Sequence, residues 1–167
     1  MGKVPSYSGY QPVSAAASRI KRKNRSRDTQ HEVLLRRELW RRGLRFRKNL
    51  RSLPGKPDIV FLGPRVAVFC DGDFWHGRNW PALKEKLEHG SNAGYWPAKI
   101  ASNVERDRQN TSLLEKDGWC VVRIWETDIK RDLAAAANGV EEAVRARRQE
   151  REHNTALQRS AGINEVR

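Results

Sequence analysis

The chain has 167 residues, of which 38% are hydrophobic and 32% are charged, and its net charge is +13. This composition is typical of one soluble globular domain with a hydrophobic core. The sequence contains no apolar run near the ~20 residues that span a membrane, and its first residues lack the apolar centre of a secretion signal. We therefore expect a cytoplasmic protein with no membrane partner, acting as a monomer.

Basic residues are concentrated near the N-terminus. Residues 19–51 hold fourteen Lys or Arg and three acidic residues, which is a net charge of +11 in a fifth of the chain. Like charges at this density repel one another unless a counter-charge is present, so they favour a polyanionic partner. Nucleic acid is the natural partner, and an acidic protein or a membrane surface is the alternative.

Residues 1–27 predict a flexible basic arm, because residues 1–18 show no periodicity and residues 19–27 are basic without any acidic residue. Such an arm is loose in solution and becomes ordered on phosphate. The basic side chains that we expect to contact DNA are Arg19, Lys21, Arg22, Lys23 and Arg25.

A helix is predicted to follow the arm and to stop at Gly43. Thr29 and Glu32 have the spacing of a capping box at its start. Leu35 and Leu39 mark its inner face, and Glu32 shares that face because it lies three and seven residues before them. We therefore expect the Glu32 carboxylate to point inward.

Two apolar runs, residues 58–62 and 65–70, predict a β-hairpin around a Gly-Pro turn. Residues 71–77 then break the pattern, and residues 81–95 predict a loop with a short helix. Cys70 and Cys120 each lie in an apolar run, so we expect two reduced, buried thiols. No Cys-x-x-Cys pair is present, which argues against a structural zinc site.

A long helix is predicted over residues 97–117, with Ile100, Val104 and Leu114 on one stripe. Asp107 lies on the same stripe, so it too should point inward. Residues 119–125 predict a third strand, and a last helix should run from Asp132 to about residue 148.

Together these elements predict an α/β fold with a mixed central sheet flanked by helices. We divide the chain into the arm, an enzyme domain over residues 28–150 and a polar C-terminal tail over residues 151–167.

Five polar groups are predicted to converge on this sheet. Asp58 begins one strand of the hairpin and Asp71 ends the other, so the two are neighbours, and His76 follows a few residues later. Glu32 and Asp107 approach from the helices. Taken singly, these residues are equally explained as caps, surface charges or a loop histidine. Together they suit phosphodiester cleavage, in which oxygen ligands hold a hard cation such as Mg²⁺ and histidine activates water.

Several stretches of the sequence resemble the very-short-patch repair endonucleases, from about residue 24 to residue 126. The run Gly-Asp-Phe-Trp-His at residues 72–76 is the most diagnostic, because adjacent Trp and His are rare. The other matching stretches are residues 53–61, 68–71, 103–108 and 118–126.

The resemblance implies a restriction-endonuclease-like core that nicks double-stranded DNA beside a T:G mismatch. It implies that Asp58 and the backbone carbonyl of Cys70 bind Mg²⁺ and that His76 is catalytic. Glu32 and Asp107 match carboxylates that orient water at the metal. Phe74, Trp75 and Trp96 match aromatic side chains that wedge into the base stack, although core packing is the other interpretation.

The sequence also departs from the family. The positions of the family's zinc ligands fall at or near Asp73, Arg78, Trp80 and Thr127, so we expect no structural zinc. Asp71 replaces a histidine, is counted among the catalytic candidates, and is open as a further metal ligand.

Two alternatives remain. One is a restriction-type or homing-type DNA endonuclease without mismatch preference. The other is a DNA-binding protein without catalysis, which would not need Glu32, Asp58, His76 and Asp107 together. The preferred DNA sequence, the protein partners and the choice between repair and defence are not predicted.

Overall fold

A computed structural model describes residues 28–90 and 92–163 of the chain. The five basic residues predicted to contact DNA from the arm lie outside these residues. The helices are α1 (Gln30–Arg41), α2 (Trp80–Glu88), α3 (Trp96–Lys116), α4 (Glu126–Arg131) and α5 (Leu133–Ile163). The strands are β1 (Arg47–Lys48), β2 (Ile59–Phe61), β3 (Val66–Asp71) and β4 (Cys120–Trp125).

The four strands form one sheet in the order β1-β2-β3-β4. β1, β2 and β3 pair antiparallel, whereas β4 runs parallel to β3. The connection from β3 to β4 passes through α2 and α3, as a parallel pair requires a long crossover. The predicted hairpin and the mixed α/β sheet are confirmed.

Alternation along the strands divides the core between the two faces of the sheet. Ile59, Val66 and Val68 face α1, α4 and α5, whereas Val60 and Ala67 face Leu114 of α3. Successive strand residues point to opposite faces. The Cys70 side chain therefore lies on the α1 side, and Asp71 points to the α3 side.

The structure contains two short elements that were not predicted, and the last helix is longer than predicted. β1 and α4 were not predicted, because two basic residues show no strand pattern and six residues are too few for a helical period. α5 continues to Ile163 rather than ending near residue 148. Its extension is rich in Arg, Glu, Gln and Ala, which are good helix formers. Its side chains are exposed from residue 148 to residue 160.

The capping box at the start of α1 is also wrong in detail. The Thr29 side chain makes no cap hydrogen bond to the helix backbone. Instead its hydroxyl donates to Glu32 Oε1 at 2.7 Å, and the Asp28 N–H donates to Glu32 Oε2 at 2.9 Å. Asp28 precedes the N-cap residue Thr29, so its N–H lies outside the helix. The Glu32 carboxylate therefore secures the turn that leads into α1.

No helix among the described residues is long and apolar enough to cross a membrane.

Candidate active site

Asp58 lies immediately before β2, at the point where β3 ends. Its Oδ2 accepts a hydrogen bond from the Cys70 backbone N–H at 2.8 Å, and its own N–H donates to the Val68 carbonyl at 3.0 Å. The hairpin register explains this contact, because Ile59 pairs with Val68. The sequence prediction that the start of one hairpin strand, at Asp58, lies beside the end of the other is confirmed.

The Asp58 carboxylate is held where ionisation is unfavourable. Its pKa is raised from 3.8 to about 7, mainly by burial, and the nearby charges of Glu32 and Asp71 contribute to this rise. The Cys70 N–H and the Arg36 charge oppose this rise without offsetting it. A cation bound beside Asp58 would stabilise the ionised form.

Cys70 presents its backbone rather than its thiol to this site. Burial raises the pKa of the thiol well above its ordinary value, and the Asp58, Glu32 and Asp71 carboxylates raise it further. A thiol that stays protonated is a poor metal ligand or nucleophile. Its carbonyl oxygen, however, lies at the end of β3 and within 3.4 Å of His31 Nε2.

His31 was not predicted from the sequence. It is buried in the first turn of α1, and its Nε2 lies 3.1 Å from the Thr29 hydroxyl as well as near the Cys70 carbonyl. Because the Thr29 hydroxyl donates to Glu32, the Nε2 hydrogen can serve as donor to both oxygens. In the sequence, His31 is marked only by its position next to the inward-facing Glu32. A single histidine has no spacing pattern that would indicate a functional role.

Glu32 is almost fully buried, as its position on the inner face of α1 predicted. Both of its oxygens accept hydrogen bonds, from Asp28 and Thr29, and Arg36 Nη2 lies 3.8 Å away. Its negative charge acts on Asp58 at longer range. Glu32 is thus near the hairpin end but is held by its own helix.

His76 and Asp107 form the closest acid–base pair of the site. His76 lies in the loop after β3, and its Nδ1 is 2.6 Å from Asp107 Oδ2 in the middle of α3. Burial raises the pKa of Asp107, but the His76 hydrogen bond and the charges of His76, Arg123 and Arg106 outweigh it and lower the pKa. An ionised Asp107 holds the proton on Nδ1 and leaves Nε2 with a lone pair.

Both carboxylate oxygens of Asp71 accept hydrogen bonds from Arg123, a residue that was not predicted from the sequence. Arg123 Nε donates to Asp71 Oδ2 at 2.6 Å, and Arg123 Nη2 donates to Asp71 Oδ1 at 2.8 Å. Asp71 is the last residue of β3, and Arg123 lies on the same face of the parallel neighbour β4. Both Asp71 oxygens are therefore occupied by a guanidinium, which leaves it poorly suited to bind a metal.

The three predicted wedge residues form one partly exposed cluster. The ring centroids of Phe74 and Trp75 lie 5.2 Å apart, and those of Phe74 and Trp96 lie 5.4 Å apart, with edge-to-face geometry. Phe74 and Trp75 are each 37% exposed. Aromatic side chains at this exposure are available to a ligand and are not ordinary core residues.

At the positions that match the family's zinc ligands, polar contacts join the loop to α4. The Thr127 hydroxyl donates to Asp73, Arg78 Nη1 lies 3.4 Å from Asp73 Oδ1, and Arg78 Nη2 donates to Asp128 at 2.9 Å. Within residues 28–90 and 92–163, no three His, Cys, Asp or Glu side chains are grouped so that they could hold a metal ion. Any cation at Asp58 must therefore use backbone or water oxygens as well.

The fold and the site define a class of protein. A mixed α/β sheet carries, at one end, a buried carboxylate beside a carbonyl and a His–Asp pair, with exposed aromatic rings alongside. This arrangement has the groups of a hydrolase that acts on a phosphodiester.

Comparison with known proteins identifies the family. The family model described as DNA mismatch endonuclease Vsr matches residues 13–82. The Type II nicking enzyme V.NmeDIP of Neisseria meningitidis serogroup C is 42% identical over 122 residues, covering 73% of this chain and 81% of that protein. The Type II nicking enzyme V.NaeI of Lentzea aerocolonigenes is 41% identical over 134 residues, covering 75% and 76%. The DNA mismatch endonuclease Vsr of Escherichia coli is 37% identical over 116 residues, covering 70% and 72%.

The chain therefore belongs to the Vsr family of DNA mismatch endonucleases. It is an enzyme that cleaves DNA, and the predicted resemblance is confirmed. The interpretation as a DNA-binding protein without catalysis is excluded by this membership.

Proposed function

We propose that the protein is a Mg²⁺-dependent endonuclease that nicks one strand of double-stranded DNA, with a preference for T:G mismatches. The observation that carries the proposal is that the Asp58 carboxylate and the His76–Asp107 pair both belong to the end of β3, where Asp58 binds the Cys70 N–H and Asp71 lies 3.5 Å from His76 Nδ1. We also propose that the sheet and its helices form a restriction-endonuclease-like core that acts as a monomer.

The residues at the hairpin end fit a hard divalent cation. Asp58 and the Cys70 carbonyl would hold it, and Mg²⁺ commonly keeps several waters and binds through few protein oxygens. The raised pKa of Asp58 supports this assignment, because an uncompensated buried carboxylate is relieved by a positive charge. When bound, the cation supplies charge stabilisation to the phosphate. The residues at the family's zinc positions do not fit zinc, since none is Cys or His.

The chain's own residues support acid–base chemistry at the same end of the sheet. Asp107 orients the His76 ring and holds its Nδ1 proton, so Nε2 can take a proton from water. Glu32 adds negative charge near Asp58 and favours a bound cation. His31 donates toward the Cys70 carbonyl and helps to hold its orientation.

Single-strand cleavage and mismatch preference rest on other features. The relatives named above include two nicking enzymes and one DNA mismatch endonuclease. The exposed Phe74–Trp75–Trp96 cluster supports recognition of a distorted duplex, because aromatic faces replace lost base stacking at ~1–3 kcal/mol per base. The alternative, an endonuclease without mismatch preference, is supported by the changes from the family at Asp71 and Asp73.

The test is cleavage of matched and T:G-containing duplexes with Mg²⁺, with each strand labelled and resolved on a denaturing gel. We expect a nick in one strand of the mismatched duplex and little cleavage of the matched one. Asp58→Ala and His76→Ala should each abolish cleavage while retaining DNA binding by gel shift. Equal cleavage of both duplexes would overturn the mismatch preference, and cleavage without any divalent cation would overturn the metal dependence.

A further inference from the structure

An arginine that is not assigned above to the chemistry lies behind the His76–Asp107 pair. Arg123 is in the middle of β4, and its Nη2 lies 3.5 Å from Asp107 Oδ2 while the same guanidinium pairs with Asp71. The Arg123 Nη1 donates to the Thr111 hydroxyl at 3.3 Å, and the Arg123 Cζ lies 4.7 Å from the centre of the Phe69 ring. The guanidinium is thus held by several side chains and is only partly exposed.

The charges around His76 explain why a cation is needed there. His76 Nδ1 lies 2.6 Å from Asp107 and 3.5 Å from Asp71, so two carboxylates face one ring nitrogen. Two uncompensated carboxylates at this distance favour a protonated imidazole, and a protonated ring cannot accept a proton from water. Arg123 contacts both carboxylates and offsets one of the two negative charges.

None of the other charged residues considered near His76 contacts both Asp71 and Asp107 as Arg123 does. Arg106 reaches Asp107 from the solvent side, at 3.6 Å from Oδ1, and is mostly exposed. Asp73 is in the same loop and is engaged by Arg78 and Thr127. Glu126, at the start of α4, lies beside Gly72 of that loop.

We propose that Arg123 is a positioning residue that balances the charges of Asp71 and Asp107, and so holds the Asp107–His76 pair in the arrangement in which His76 acts as a base. This inference rests on the role of His76 in the proposed function. It predicts that the charge balance around Nδ1, rather than the presence of arginine as such, sets the pH range in which the enzyme is active.

Three variants change this balance in steps. Arg123→Gln leaves two carboxylates facing Nδ1, Asp71→Asn leaves one carboxylate and the arginine, and Asp71→Asn with Arg123→Gln restores the parent balance. We expect the acid limb of the pH–rate profile to move up by about one pH unit in Arg123→Gln, down in Asp71→Asn, and back toward the parent in the double variant. On that limb, kcat of Arg123→Gln should be about tenfold lower, with KM unchanged.

Arg106→Gln is the matched control, since it removes a cation that contacts the same Asp107 from solvent. Because the Arg106 side chain is mostly exposed and its charge is screened by solvent, its removal should move the pH–rate profile much less than Arg123→Gln does. NMR titration of the His76 ring, without metal or DNA, measures the same shifts independently of cleavage. Parallel shifts of the titration without any effect on cleavage would contradict the role of His76 as the base and leave the charge balance intact.

A His76 titration that is the same in Asp71→Asn as in the parent would overturn the proposal. This comparison can be made even if Arg123→Gln fails to fold. In Arg123→Gln the buried Asp71 carboxylate loses both of its hydrogen bonds from Arg123, whereas Asp71→Asn has no carboxylate at that position. A purely structural role of Arg123 would lower the melting temperature of the variants and leave the His76 titration where it was.

Discussion

At the scale of single residues, Asp58 shows how a site residue can weaken the protein that contains it. The backbone N–H of Cys70 binds one oxygen of Asp58, yet burial raises the pKa of the carboxyl to about 7. Between about pH 4 and about pH 7 the folded state binds more protons than the unfolded chain. The stability of the metal-free protein should therefore fall as the pH rises through this range.

Asp58→Asn should remove this loss. Without metal, the variant should be more stable than the parent above pH 7, by at most about 4 kcal/mol for a shift of about three pKa units. The difference should shrink toward pH 4. Thermal unfolding at several pH values measures it, with the exposed Glu115→Gln as control. An equal difference at pH 4 and pH 8 would contradict the raised pKa.

Mg²⁺ binding should depend on the same ionisation of Asp58, but in the opposite direction: a higher pH should strengthen it. In the proposed site the cation binds ionised Asp58, so the affinity of the intact enzyme for Mg²⁺ should fall about tenfold for each pH unit below 7. Isothermal titration with MgCl₂ in the absence of DNA would measure this dependence. A pH-independent affinity between pH 5 and pH 7 would show that Asp58 is not the ligand.

At the scale of elements, the loop between β3 and α2 depends on its contact with α3. Gly77 follows His76 with a positive φ of 70°, and a Cβ at this position would lie 2.7 Å from Val104 Cγ2. Close approach at Gly77 lets the loop lie on α3, where His76 meets Asp107. The helix therefore positions the histidine, although the histidine is not part of the helix.

Gly77→Ala should move the loop away from α3 and separate His76 from Asp107. A displacement of about 1 Å is expected to lower kcat about a hundredfold. Gly118→Ala is the matched control, because Gly118 also has a positive φ and a Cβ there would meet nothing within 4 Å. Both variants should lose stability in thermal unfolding, but only Gly77→Ala should lose single-turnover cleavage. Equal cleavage by the two would refute the positioning.

The elements that could be predicted are those whose periodicity is long enough to detect. α3 begins at Trp96 and ends at Lys116, close to the predicted range of 97–117. β1 has only two basic residues and forms because it pairs with β2. Such a strand is produced by its neighbour, so local sequence carries little sign of it.

At the scale of the whole molecule, we propose separate roles for the basic arm and for the end of the sheet that carries Asp58 and His76. Arg19, Lys21, Arg22, Lys23 and Arg25 remain predicted DNA contacts, as residues 1–27 lie outside the described structure. The polar tail predicted over residues 151–167 also stays a prediction, although α5 runs through most of it. The arm should contribute to affinity without sequence preference, since contacts with phosphate carry no base information.

Replacing Lys21, Arg22 and Lys23 with Gln should reduce the salt dependence of DNA binding. Each lost phosphate contact lowers the slope of log affinity against log salt by ~0.9. Fluorescence anisotropy at several NaCl concentrations measures the slope, and Gln substitutions at Arg145, Arg148 and Arg151 on α5 are the matched control. An unchanged slope in the arm variant would exclude the arm from the phosphate contacts.

The sequence by itself determined which residue types can do the chemistry and which of them are near one another locally. Asp58 and Cys70 could be placed together because a hairpin brings the start of one strand beside the end of the other, and His76 could be placed near Asp71 because the loop follows that strand directly. Arg123 and its pairing with Asp71 could not be predicted, because 52 residues separate them and only the parallel pairing of β3 with β4 brings them together. The same holds for His31, which reaches the Cys70 carbonyl only because α1 packs on that face of the sheet. The tertiary structure decided that Asp71 binds an arginine, because side-chain direction on a strand follows from the register.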